Sequence, residues 1–170
     1  LSSGLHSPQD VQCAQLTSKP PQAAQICRSL VKKIQSKFNN IDLILSPAMG
    51  GIVVGYEIGK LMGVETIFSE RVNGEFKLRR DFKINQNTNV LIVEDVITTG
   101  KSSIECSKLV TENKANIAGY ACIIDRSCGK TEINKKIISQ IKLNIPTYKK
   151  DNLPKELKSI DPVKPGSRNL

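Results

Sequence analysis

The chain has 170 residues, 39% of them hydrophobic and 24% charged. That is enough for one domain burying about two-thirds of its unfolded surface, and it excludes wholesale disorder. Lys and Arg number 25 against 16 Asp and Glu, a net charge of +9, so an anionic partner is expected: nucleic acid, acidic lipid, or a small molecule carrying several phosphates.

Pro20-Pro21 opens a helical pattern in which Ala24, Ile26, Cys27, Leu30, Val31, Ile34 and Phe38 recur at three- and four-residue spacing, and Asn39-Asn40 ends it. The apolar run 42–46 reads as a buried strand that stops at Pro47, followed by a tight turn at Gly50-Gly51 able to approach a phosphate. A second helix fits 52–62, closed by Gly63, and 64–68 is a further strand. Residues 70–88 then change character: Arg71, Lys77, Arg79 and Arg80 alternate with Phe76, Leu78 and Phe82 around Asn73-Gly74, a strong hairpin-turn signal. This stretch is expected to be a long, exposed, basic hairpin loop. The strand 89–93 leads directly into Glu94-Asp95, a helix fits 101–113, and a strand fits 117–124. Alternating strands and helices at this spacing predict an α/β layer fold with a mainly parallel central sheet flanked by helices. From Tyr148 onward, Pro154, Pro162 and Pro165 predict an irregular tail.

Five cysteines without C-x-x-C pairing, one histidine, and no leader pattern at Leu1 predict reduced thiols in the cytoplasm. They also argue against a zinc site or a Cys–His nucleophile, so no protein metal ligands are expected. No run approaches the ~18 apolar residues of a membrane span.

The chemistry concentrates in Val90 to Ser102. Two carboxylates, Glu94 and Asp95, end an apolar strand, and Thr98, Thr99, Gly100, Lys101 and Ser102 lead into a helix. In open parallel sheets ligands bind at that end of the strands. Hydroxyls and backbone N–H groups at a helix N-terminus suit a phosphate. Vicinal carboxylates need ribose hydroxyls or a divalent cation to satisfy them. The combination is a phosphate cradle beside a sugar-diol acceptor. The plainer alternative is a helix cap with solvated acids.

This stretch resembles the phosphoribosyl-pyrophosphate signature of type I phosphoribosyltransferases. Four further segments are similar to the orotate phosphoribosyltransferases of that family: Ser46 to Glu57, Phe68 to Gly74, Asp125-Arg126-Ser127, and Val163 to Arg168. The resemblance implies one phosphoribosyltransferase domain over 1–170, lacking the family's amino-terminal helix. It implies Mg²⁺-assisted transfer of a 5-phosphoribosyl group to orotate, the ion being carried mainly by the substrate's pyrophosphate. Glu94 and Asp95 would hold the ribose hydroxyls, with Asp95 catalytic. Val96, Ile97, Thr98, Thr99, Gly100, Lys101 and Ser102 would line phosphoribosyl pyrophosphate, and Gly50 and Gly51 would approach its diphosphate. Thr98 and Arg126 would contact orotate, and Ser3, Gly4, His6 and Ser7 would border the base.

In the basic loop the family usually carries lysine directly after the Asn-Gly or Asp-Gly turn. Here Glu75 stands there and lysine is displaced to Lys77, which is taken as the catalytic cation, with Arg71, Arg79 and Arg80 as further pyrophosphate contacts. Lys101 likewise stands where glycine is common. The resemblance also implies a homodimer in which loop 70–87 reaches the neighbouring site. Two other functions stay open: a purine phosphoribosyltransferase, and a regulatory nucleic-acid-binding relative. Arg126 argues against the first. An aromatic content of 4% with no Trp leaves little for base stacking and argues against the second.

Overall fold

The computed structural model describes residues 5–163. These described residues fall into two compact units, one comprising Cys13–Leu143 and the other residues 5–12 with 144–163. The larger unit runs α1 (Cys13–Thr17), α2 (Pro20–Gln35), β1 (Leu43–Pro47), α3 (Gly50–Met62), β2 (Glu65–Val72), β3 (Glu75–Leu78), β4 (Asn89–Ile97), α4 (Lys101–Glu112), β5 (Asn116–Asp125) and β6 (Ile137–Lys142). The smaller unit holds an antiparallel bridge between His6 and Tyr148, a 3-10 turn at Lys150–Asn152 and the short helix α5 (Lys155–Lys158). Ser3, Gly4 and residues 164–168 lie outside the described residues.

Six strands form one sheet in the order β3-β2-β1-β4-β5-β6, parallel throughout except for the β2–β3 hairpin. This is the mainly parallel α/β sheet that the alternating pattern predicts. Alternation along the strands separates two apolar faces. Leu43, Leu45, Val90 and Ile92 pack with Ile67, Tyr120 and Cys122 and with Cys106 and Val110 of α4. Ile44, Leu91 and Val93 turn to the other face, where α2 and α3 bury Leu30, Ile34, Val54 and Ile58. Gly51, Gly55 and Gly59, four residues apart on α3, let that helix sit close to the sheet: a Cβ at Gly51 would lie 2.9 Å from the Val93 carbonyl oxygen.

Several elements differ from their sequence expectation. α2 ends at Gln35, not at Asn39-Asn40, because Lys37 and Phe38 both donate to the Ile34 carbonyl and tighten the last turn. α3 begins at Gly50, so Gly50-Gly51 is the first turn of the helix and not a separate loop. β4 continues four residues past Val93, because Glu94 stays in register with Cys122 and Ile97 with Asp125. β6 and α1 carry no clear signal in the sequence. The 70–88 stretch is not simply an exposed loop. Residues up to Leu78 belong to the sheet, with Asn73 (φ 53°) and Gly74 (φ 87°) making the turn. Its alternating apolar residues face inward: Phe76 and Ile84 are buried, and the Phe82 ring meets Phe68 edge-on at 5.2 Å.

Candidate active site

The strand order reverses between β1 and β4: the chain builds one way from β1 to β2 and β3, and the other way from β4 to β5 and β6. Crevices at the carboxyl ends of such strands are where α/β sheets bind ligands. β1 ends there at Pro47, and β4 brings Glu94 and Asp95 to the same edge.

Glu94 is 8% exposed and accepts a hydrogen bond from Ser103 Oγ of the first turn of α4. Asp95 is half-buried, and its Oδ1 accepts from the Val96 N–H at 2.9 Å. From the other side of the crevice Gly50 presses against it: a Cβ on Gly50 would meet Asp95 Oδ2 at 2.5 Å. The two acids therefore differ. Glu94 is sheltered and anchored, whereas Asp95 faces the crevice across from a residue with no side chain.

The loop after β4 turns through Gly100, whose φ of 79° suits glycine and starts α4. Thr99 Oγ1 accepts the Lys101 N–H at 3.3 Å, and the Thr99 carbonyl accepts from Thr131 Oγ1 at 3.0 Å. The Lys101 side chain is 74% exposed. This is the N-terminus of a twelve-residue helix, a kind of place whose positive end suits a phosphate.

At the end of β5, the Asp125 carboxylate accepts from the Ser127 N–H at 2.9 Å, and the Arg126 N–H donates to the Ile97 carbonyl at 2.7 Å. Arg126 is 5% exposed. It thus sits one strand over from the acids, held to the end of β4 by its own backbone.

The hairpin cations are held by acids. Arg71 pairs with Glu105 of α4, while Arg80 donates to Glu70 at 2.8 Å and Arg79 lies 3.6 Å from the same carboxylate. Lys77, 52% exposed, lies 3.6 Å from Glu75. Among the described residues, the ion-pair partners of Lys77, Arg79 and Arg80 stay inside the hairpin and do not reach the 98–102 loop. Ser103, Glu105 and Thr131 escaped the sequence reading, although Ser103 one turn into a helix that follows a carboxylate pair was a usable signal. Among the described residues no group of three or more His, Cys, Asp or Glu is placed to hold a metal, and no helix is long and apolar enough to cross a membrane.

Residues 14–157 match the family described as the phosphoribosyl transferase domain. The orotate phosphoribosyltransferase of Methylorubrum extorquens is 46% identical over 171 positions, covering 100% of this chain and 87% of that protein. That of Parvibaculum lavamentivorans is 44% identical, with coverage of 100% and 88%. Among solved structures, orotate phosphoribosyltransferase from Aeropyrum pernix superposes with a TM-score of 0.71 at 17% identity over 84% of each chain. At that identity the likeness is one of fold. Taken with the strand order, the acid pair of β4 and the loop into α4, the full-length likeness is decisive: the chain belongs to the phosphoribosyltransferase family, among the orotate phosphoribosyltransferases.

Proposed function

We propose that the chain transfers the 5-phosphoribosyl group of phosphoribosyl pyrophosphate to orotate, giving orotidine 5′-phosphate and pyrophosphate. The observation that carries the substrate choice is Arg126, a buried guanidinium one strand from the ribose-binding acids. A guanidinium fork grips a carboxylate through two parallel hydrogen bonds, and exclusion of water strengthens the pair. Orotate brings a carboxylate, whereas a neutral purine does not.

In the reaction the bond between ribose C1 and the pyrophosphate oxygen breaks, and its electron pair leaves with pyrophosphate. The orotate ring nitrogen bonds to C1 and gives up its proton to solvent. Glu94 and Asp95 accept the ribose hydroxyls and oppose the positive charge that grows on the sugar. The Thr98–Ser102 loop holds the 5-phosphate, so the base nitrogen and C1 are already aligned when they react. A divalent cation carried on the diphosphate would neutralise the leaving group, and Glu94 and Asp95 are the neighbouring oxygen donors that would hold it there.

The same reading includes a homodimer in the cytoplasm, with the 70–87 segment serving the neighbouring site. An apolar face on the first two turns of α3 and the residue before it supports this. Met49, Val53 and Tyr56 are 80%, 49% and 65% exposed, beside a cavity of about 280 Å³ lined by Ile52, Ile67 and Phe68. Exposed apolar patches of this kind mark contact surfaces. The function is tested by following orotate absorbance with phosphoribosyl pyrophosphate and Mg²⁺, against adenine and hypoxanthine. Turnover of orotate alone is expected. Turnover of a purine with orotate inert would overturn the reading.

A further inference from the structure

Two consecutive residues of α4 grip two same-face residues of β2. Ser69 and Arg71 are two apart on the strand, so both side chains leave it toward α4. Ser69 Oγ lies 3.1 Å from Cys106 Sγ in the buried interior, and the Arg71 guanidinium donates to Glu105 Oε2. That guanidinium also donates to the Gly74 carbonyl at 2.5 Å and stands 4.2 Å over the Phe76 ring. It is therefore fixed from three sides: by the hairpin turn, by the hairpin's inward aromatic, and by α4.

Glu105 faces a second cation. Its Oε1 lies 4.0 Å from Lys101 Nζ, one turn back on α4 at the residue that opens the helix. One carboxylate thus stands between the basic hairpin and the loop that would take the 5-phosphate. The side chains of Arg71 and Glu105 are only 32% and 23% exposed, so the pair is better defined than a solvated surface pair, whose two long side chains wander.

We propose that Glu105 is a positioning residue. With Arg71 it forms a clasp that fixes the β2–β3 hairpin on the phosphate-loop helix, and so sets the hairpin's other cations where a diphosphate can meet them. The clasp rests on the reading of the 94–102 segment as a phosphoribosyl-pyrophosphate site. It gives Arg71 a different task from the one its charge suggests: Arg71 holds the hairpin and does not itself bind the diphosphate. Its bonds to Glu105 and the Gly74 carbonyl and its stacking on Phe76 direct the guanidinium at α4 and at its own hairpin.

The test is a charge exchange. Glu105→Gln, Arg71→Glu, Glu105→Arg and the reversed pair Arg71→Glu with Glu105→Arg are titrated calorimetrically with phosphoribosyl pyrophosphate and Mg²⁺, and KM is measured for both substrates. Each single variant is expected to weaken phosphoribosyl-pyrophosphate binding about tenfold while KM for orotate stays within about twofold, and the reversed pair is expected to recover most of the loss. A reversed pair as weak as Arg71→Glu would put Arg71 on the substrate and overturn the clasp. So would single variants that leave both substrates untouched or weaken both alike. If Glu105→Arg does not fold, Glu105→Gln, which keeps the shape and removes the charge, must still show the selective loss. Because the titrations need no orotate, a chain that binds phosphoribosyl pyrophosphate but ignores orotate would sink the orotate reading and leave the clasp standing.

Discussion

Gly50 stands against Asp95 across the point where the strand order reverses, so close that a Cβ on Gly50 would lie 2.5 Å from Asp95 Oδ2 and 2.7 Å from its carboxyl carbon. The first residue of α3 thereby acts as a wall for the Asp95 carboxylate of β4. Gly50→Ala is expected to turn that carboxylate away from its place. The change sits at an open strand end, so the fold should lose about 1 kcal/mol or less while kcat/KM for phosphoribosyl pyrophosphate falls tenfold or more. Steady-state kinetics alongside a thermal melt check this; unchanged kinetics would show that Asp95 tolerates a displaced position.

Disturbing the two acids should have different consequences. Asp95→Asn keeps the acceptor for the Val96 N–H and removes only charge, so it is expected to reduce kcat/KM about a hundredfold with little change in Tm. Glu94 is nearly buried and bonded to Ser103. Ser103→Ala takes away a buried partner and is expected to lower stability by about 1–3 kcal/mol, where Asp95→Asn does not. Equal melting curves for the two variants would contradict this division of roles.

Arg126→Ala is expected to raise KM for orotate more than KM for phosphoribosyl pyrophosphate. Losing a desolvated charge-assisted pair costs on the order of 2–5 kcal/mol, and Arg126 is 5% exposed. Measuring both KM values on one preparation decides it. A parallel rise in the two would take Arg126 out of the base pocket.

Subunit mixing tests the hairpin in trans. Lys77 is half exposed and paired only loosely with Glu75, so its ammonium can swing to a ligand at small cost. An Asp95→Asn protein mixed with a Lys77→Ala protein is expected to regain activity, because hybrid dimers carry one site with both groups intact. Flat activity, with exchange of subunits verified by mass, would assign the hairpin to its own subunit or remove it from catalysis.

The thiols set a further expectation. Burial pushes Cys13 up to about 12, with the charge of Asp95 adding to the rise, Cys27 up to about 11 and Cys106 up to about 12, from an ordinary value of 9.0. Above pH 9 the unfolded chain therefore sheds protons that the folded chain keeps, so stability is full below pH 9 and declines as pH rises toward 11–12. Melts from pH 7.5 to 10.5 should be level at first and then fall. Of the five cysteines only Cys128 is exposed, so a thiol reagent should modify one group rapidly in the native protein, and Cys128→Ser should abolish that phase.

Much of the site could be read from residues that act on near neighbours. The apolar run before Glu94-Asp95, the hydroxyl-rich loop into α4, the Asn73-Gly74 turn and the Gly63 helix stop all work within a few residues, and each stands in the structure at or near its expected place. What the sequence by itself determined is this local chemistry, because caps, turns and strand periodicity are short-range effects. The tertiary structure decided the rest. β1 beside β4 brings Gly50 to Asp95, pairing with β5 carries β4 on to Ile97, and Glu105 meets Arg71 across 34 residues. β6 forms only because β5 offers an edge to pair with. Such contacts depend on which strands lie side by side and which charges are then sheltered from water, and no local pattern carries that information.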